Sequence, residues 1–256
     1  MLDRLRAHAR AASARSHTPY SGTPVGAAVL FEDGTWTAAP RLEAASFPLS
    51  IPALQGALSL AAILGGRVAA VAMSRAVSDA ERVHVAQALG GAWVHAGPGA
   101  VVADGRMPPL VGEPVRLTLD LPPPPDVDGA AALAIAASDR AVVPASAFPV
   151  GAVVEDVEGR LVAGANVEVA ADWTRGLCAE RVALVAARAA GLGPVRRVAV
   201  ACARVPGGTP CGGCRQVLAE LAPNSEIVIW RGAQPPDITN PTALLPGAFG
   251  ADALGR

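Results

Sequence analysis

Thr23-Pro24-Val25-Gly26-Ala27 recurs as Phe148-Pro149-Val150-Gly151-Ala152, displaced by 125 residues. The same displacement carries Gly34 onto Gly159 and Arg41-Leu42-Glu43 onto Asn166-Val167-Glu168. One residue is then inserted in the second copy, and Ala57-Leu58 matches Ala183-Leu184 at 126. Similarity over such a length implies two copies of one supersecondary unit, each about the size of a small domain. Between them runs Leu121-Pro122-Pro123-Pro124-Pro125-Asp126. Consecutive prolines cannot continue a helix or a central strand, so they form a stiff, extended connector. The expected organisation is a first unit over 1–119, a Pro-rich linker over 120–129 and a second unit over 130–256.

The pattern of the second copy predicts a helix over 130–137, strands over 150–154 and 161–166 joined by a turn at Glu158-Gly159, and a helix over about 178–190 with Gly191 as its C-cap. A strand over 198–202, a helix over 211–221 and a strand over 227–230 follow. Strands and helices in this order indicate α/β/α layers in tandem. Leu2, Leu5 and Ala9 lie at helical spacing, which favours an amphipathic first helix over an Arg-rich transit peptide. Residues 44–66 carry no charge, but prolines and polar groups break the stretch near its start, so it reads as a buried loop and helix and not as a membrane span.

Of the 256 residues, 52% are hydrophobic and 17% charged, which suits a well-packed globular protein. The net charge of −1 lacks the basic excess of a nucleic-acid or membrane-surface binder. The four cysteines, Cys178, Cys202, Cys211 and Cys214, all fall in the second half. Few, unevenly placed thiols and no secretory leader favour a reducing, cytoplasmic setting and metal chemistry over disulfides.

The thiols carry the chemistry. Cys178-Ala179-Glu180-Arg181 is followed by Pro210-Cys211-Gly212-Gly213-Cys214. Cys211 and Cys214, three apart at a helix start, put both sulfurs on one side. Cys178 opens another helix, and free N–H groups at both helix starts favour thiolates. Three protein ligands leave one corner of a tetrahedral Zn²⁺ open, as a catalytic site requires. Cys202, in an apolar strand, reads as a core thiol; the alternative is a closed four-cysteine structural site. Glu180, two residues from Cys178, is placed to reach water at the open corner. It is expected to take that water's proton and leave hydroxide as nucleophile; the likeness of these motifs to the signature of zinc deaminases of nucleobases implies attack on an amine-bearing carbon, with protons passed to the ring nitrogen and leaving amine. Arg181 is expected to donate to the cysteine sulfurs and draw charge from the metal's ligands. The first copy has Pro52 and Leu54 where the second has Cys178 and Glu180, and its comparable region, 78–89, has no cysteine. It is expected to be catalytically dead.

The second copy resembles the cytidine deaminase family, over nearly all of residues 130–252. The resemblance rests on the metal motifs above, which form the signature of zinc deaminases of nucleobases, on Pro144-Ala145-Ser146-Ala147-Phe148-Pro149-Val150-Gly151-Ala152, on Asn166-Val167-Glu168, and on a tail at Leu244-Leu245-Pro246-Gly247-Ala248-Phe249. It implies a mixed sheet of about five strands between helices in each unit, and one zinc per chain. It implies Asn166 and Glu168 on the ribose hydroxyls, Phe148 on the pyrimidine, and Ala179 as a further substrate contact. The implied reaction is hydrolytic deamination of cytidine and 2′-deoxycytidine in pyrimidine salvage. The alternatives are a zinc deaminase of a related aminopyrimidine nucleoside, such as a nucleoside antibiotic, and a non-catalytic zinc-stabilised interaction protein. The partner expected is a small nucleoside, not nucleic acid or membrane. Two-domain relatives imply a homodimer of four units, a pseudo-tetramer. The second copy departs from the family at Val169-Ala170-Ala171-Asp172-Trp173, whereas the first keeps Pro19-Tyr20-Ser21 and Ala44-Ala45-Ser46-Phe47-Pro48-Leu49. The loop around Phe47 is therefore expected to wall the living site of an adjacent unit.

Overall fold

The computed structural model describes residues 1–103, 108–110, 112–202, 204, 207–232 and 235–255. In the first half, α1 (Leu2–Ser13), β1 (Gly26–Phe31), β2 (Trp36–Pro40), α2 (Ala53–Leu64), β3 (Val68–Met73), α3 (Asp79–Leu89), β4 (Trp93–His95) and β5 (Ala100–Ala103) build a sheet of order β2-β1-β3-β5-β4. In the second, β6 (Thr118–Leu119), α4 (Val127–Ser138), β7 (Gly151–Asp156), β8 (Leu161–Ala165), α5 (Ala179–Ala190), β9 (Val195–Ala201), α6 (Gly212–Leu221), β10 (Glu226–Trp230), β11 (Asp237–Thr239) and α7 (Pro241–Leu244) build a sheet of order β11-β10-β9-β7-β8-β6. No helix among the described residues is long and apolar enough to cross a membrane.

The duplication explains the shared core. Gly26 and Gly151 open equivalent strands because a helix crosses directly over each. A Cβ would sit 2.0 Å from the Ala9 carbonyl oxygen in the first copy and 2.0 Å from that of Ala134 in the second. Only glycine permits that approach. On these outer faces, Leu5 and Ala9 of α1 pack on Ala28, Leu30, Ala70 and Val102, and Ala130, Ala131 and Ala134 of α4 on Val153, Ala199 and Val228. The inner faces share one apolar cluster, in which α2 (Leu54, Leu58, Ala61) meets α5 (Val182, Val185, Ala186) between the two sheets. The α4 helix starts earlier than its periodicity implies, because Asp126 Oδ1 accepts the Gly129 amide at 2.8 Å and caps it directly after the prolines. Gly191 ends α5 in a left-handed conformation (φ 72°), as its position at the end of the helical pattern implied.

The mixed sheet of about five strands implied for each unit is found in the second copy and departed from in the first. The second is mixed, with β9 and β10 parallel, but has six strands because Thr118–Leu119 adds an edge. The first has five strands, all paired antiparallel. The cause lies in the last two strands. In the second copy Ile227, Val228 and Ile229 are all buried, so β10 takes the inner place beside β9. In the first copy Val94 is 51% exposed, whereas Ala100, Val101 and Val102 are buried. The uniformly apolar strand takes the two-sided position, so β5, running the opposite way, displaces β4 to the edge.

Candidate active site

Each cysteine of the motif sits at a helix start. Cys178 is the N-cap of α5 and Cys211 the N-cap of α6, where its sulfur accepts the Cys214 amide at 3.4 Å, as a serine cap would. The three sulfurs lie within 4.8 Å of one another, with Cys178 and Cys211 at 3.8 Å. Zinc–sulfur bonds of about 2.3 Å in a tetrahedron place sulfurs roughly 3.8 Å apart, so the cluster has the dimensions of a zinc site. Hydrogen bonds from the Cys178 and Cys214 thiols hold Cys211 far below the usual thiol range, and the same contact with Cys211 pushes Cys178 up to about 12. A divalent cation held by the three sulfurs would let all of them ionise. Cys202 is not in the group. It is buried, its thiol raised to about 11 by burial, so a closed four-cysteine site is not formed among the described residues.

Glu180 is 3% exposed on the first turn of α5. Burial raises its pKa, with the charge on Cys211 adding to the effect; its own amide, the Cys214 thiol and Arg181 oppose it. Arg181 does not bond to sulfur as expected. Its Nη2 donates to the Leu49 carbonyl oxygen of the first copy at 2.9 Å, and its Nε is buried with no partner among the described residues. That orphaned donor, the sulfur spacing and the all-thiol set together fit a cation whose ligands carry negative charge.

Beside Cys178 opens a cleft of about 270 Å³, walled by Ser146, Phe148, Asn166, Glu168, Trp173 and Cys178. Three of the four expected substrate contacts thus share one cleft. Ala179, fully buried, is not among its walls. Asn166 accepts the Val150 amide at 2.8 Å and donates to the Phe148 carbonyl at 2.9 Å, so it also fixes the Phe148 turn. Glu168 accepts from the Ala145 amide at 2.9 Å, the Ser146 amide at 3.1 Å and the Ser146 hydroxyl. Although burial opposes it, these bonds hold its carboxyl below the usual range. Glu43 makes the same three bonds with Tyr20 and Ser21 in the first copy, so this clamp is part of the duplicated fold. Ala147, beside Phe148, holds a left-handed backbone (φ 51°) where its counterpart in the first copy is Gly22. Such strain gathers at ligand sites.

Phe47 is 84% exposed. Within the chain its neighbour Leu49 approaches the metal-binding helix, lying 3.0 Å from where a Cβ on Gly213 would be. Glu220 of α6 anchors the same loop by accepting from the Ala45 amide at 2.8 Å and from the Tyr20 hydroxyl. Trp173, Leu49 and Glu220 were not singled out as site residues. The signal available for Trp173 was its displacement of 126 from Phe47, each opening a 3-10 turn, Phe47–Leu49 and Trp173–Arg175.

A cluster of three cysteines at two helix starts, a buried acid beside it and a cleft with an Asn/Glu pair define a zinc hydrolase of the deaminase type. Models of the cytidine and deoxycytidylate deaminase zinc-binding region match twice, over residues 2–88 and 127–230. A cytidine deaminase from Halalkalibacterium halodurans is 41% identical over 123 residues, 47% of this chain and 92% of the relative. One from Mycobacterium tuberculosis is 41% identical over 122 residues, 47% of this chain and 86% of the relative. The crystal structure of cytidine deaminase from Burkholderia pseudomallei is 38% identical, covering 48% of this chain and 98% of that one, with a TM-score of 0.45. The chain belongs to the cytidine and deoxycytidylate deaminase family, in duplicated form. Its zinc belongs in the second copy, where the cysteines cluster.

Proposed function

We propose that this protein is a cytidine deaminase, converting cytidine and 2′-deoxycytidine with water to the uridine nucleosides and ammonia, as in pyrimidine salvage. The observation that carries the reading is the buried Glu180 beside three clustered thiols, one of which, Cys178, walls the cleft. Cys178, Cys211 and Cys214 would hold zinc, which when bound activates water for attack on the amine-bearing ring carbon. Glu180 takes one proton from the water and delivers it to the ring nitrogen, then takes the proton of the added hydroxyl and delivers it to the amine, so that the carbonyl forms, the carbon–nitrogen bond breaks and ammonia leaves. Burial favours the protonated carboxyl, which suits a group that must hold the proton between these transfers. Phe148 packs on the pyrimidine. Asn166 retains one amide hydrogen and Glu168 one acceptor site beyond the bonds they already make, and these are available to the ribose hydroxyls. Ala179 offers a backbone group at the start of α5.

In this reading, residues 1–119 form the degenerate unit, although its last strand, Thr118–Leu119, pairs with the second sheet; 120–129 form the linker, whose last residues open α4, and 130–256 the catalytic unit. The nucleoside is the small-molecule partner, and two chains pair in the cytoplasm as a four-unit homodimer. Arg181, held by Leu49, lends positive charge to the thiolates, and Phe47, exposed in the single chain, reaches a neighbouring chain's site. A related aminopyrimidine nucleoside is the second reading, favoured by Trp173 on the rim of the cleft. Cytidine, deoxycytidine, cytosine and base- or sugar-modified analogues, followed by ultraviolet absorbance on zinc-loaded protein, separate the two. Turnover of cytidine by the wild type and its loss in Glu180→Ala are expected; equal activity in both proteins rules the mechanism out.

A further inference from the structure

The two copies clasp each other through hydrogen bonds that the duplication relates. Arg181, on α5 of the second copy, donates to the Leu49 carbonyl of the first at 2.9 Å. Displaced by 126, the matching residues are Gln55 and Arg175. Gln55, on α2 of the first copy, donates through Nε2 to the Arg175 carbonyl at 2.8 Å and lies 3.4 Å from the Gly176 carbonyl. The clasp is thus reciprocal, but its two halves serve different ends. The half made by Arg181 holds a loop of the degenerate copy. The half made by Gln55 holds the segment between Trp173 and Cys178, and Trp173, Gly176, Leu177 and Cys178 all wall the nucleoside cleft.

Among the described residues, the other polar contacts of that segment are local or lie on its inner edge. Asp172 caps the 3-10 turn by accepting the Thr174 amide at 3.2 Å and pairs with Arg175 at 3.1 Å. These contacts hold the turn to itself. Leu177 exchanges backbone bonds with Val167 at 2.9 Å, which hold its inner edge. Gln55 supplies a side-chain anchor from the other copy, and Trp173, 64% exposed, owes its place at the rim to the turn so anchored.

We infer that Gln55 of the degenerate copy is a positioning residue for the nucleoside cleft, fixing its Trp173–Cys178 wall through the Arg175 and Gly176 carbonyls. The inference rests on the cytidine deaminase reading of that cleft. A side-chain amide that spans two carbonyls sets the wall's distance from Phe148 and Asn166; without it the wall moves outward and the nucleoside loses contact before any change at the metal. The first copy therefore contributes to binding although it has lost its own thiols and acid.

The test compares wild type, Gln55→Leu, Gln55→Met and Gln55→Arg, each zinc-loaded and checked for thermal unfolding. The readouts are KM and kcat for cytidine and calorimetric binding of uridine, the product. Gln55→Leu and Gln55→Met are expected to raise KM and weaken uridine binding about tenfold, with kcat within about twofold and zinc content unchanged. Gln55→Arg is expected to restore KM, because Arg181 makes the equivalent bond on the mirrored side. Using both apolar variants guards against one of them failing to fold. Unchanged KM and uridine binding in a folded apolar variant overturns the inference, as does Gln55→Arg being as impaired as Gln55→Leu. A wild type that neither turns over cytidine nor binds uridine overturns the reading of the cleft and this inference with it.

Discussion

The helix starts of the two copies show how a site is lost while a fold is kept. In the second copy α5 and α6 begin on Cys178 and Cys211, and the third residue of α6 is Cys214. In the first, α2 begins on Pro52, and α3 begins on Ser78 with Glu81 at the third position, where serine and glutamate cap each other reciprocally. Three sulfurs have been replaced by a proline and a capping box. The buried Glu180 has become Leu54, 2% exposed, which removes the cost of burying a carboxyl. What remains common, the Gly26/Gly151 contacts and the Glu43/Glu168 clamps, holds the same fold in both copies. A helix start can thus be capped by chemistry or by stability, and this chain has one unit of each kind.

The comparison can be broken first at the thiols. Cys214→Ala should abolish zinc binding, read by metal analysis, and reduce cytidine turnover by at least about a thousandfold, whereas Ser78→Ala in the equivalent helix should leave both unchanged. Next in size is Glu180→Gln. Zinc should be retained while kcat falls about 10²- to 10⁴-fold, the range for a lost proton carrier. Leu54 already stands in that place in the first copy without loss of the fold.

A smaller effect separates the copies in stability. Asp156 is fully buried at the β7 end and accepts the Gly193 amide at 3.0 Å, the Arg160 amide at 2.9 Å and the Arg160 guanidinium at 2.7 Å; its counterpart, Phe31, is apolar. Burial alone would raise Asp156, but these bonds hold it below the ordinary carboxylate range. A depressed folded pKa stabilises above the unfolded value of about 3.9 and loses that contribution as pH falls through the folded value. Asp156→Asn should cost about 2–3 kcal/mol near neutral pH, and the gap from wild type in urea titrations should close in acid. His84, buried on α3, has its pKa lowered to about 4, first by burial and then by Arg175. The unfolded chain binds its proton near pH 6.5, so stability should fall as pH drops from about 6.5 towards 4, and His84→Leu should flatten that slope. Smallest is Ser78→Ala, about 1 kcal/mol from the lost cap, measured by denaturant midpoint.

Much of this was legible because the duplication and the thiol spacing are local patterns. The repeated Val-Gly-Ala segment located equivalent strands, and Cys211 and Cys214 three apart on one helix had to face the same side. The exchange of β4 and β5 was hidden, since it depends on which of two short apolar strands is better buried on both faces. The partner of Arg181 was hidden for another reason. Its contact is with a backbone carbonyl 132 residues away, and any residue type at that position supplies the same oxygen. Gln55 was invisible likewise, because a glutamine in a helix carries no chemistry until the other copy is packed against it.

The proposed function needs a zinc held by the second copy and acting on cytidine. Zinc bound per purified chain, measured beside cytidine turnover in wild type and Cys178→Ala, tests it most directly. One zinc per chain and measurable uridine formation are expected in the wild type, with both lost in the variant. A wild type that deaminates cytidine without zinc, or a Cys178→Ala protein that keeps its metal and its activity, would contradict it.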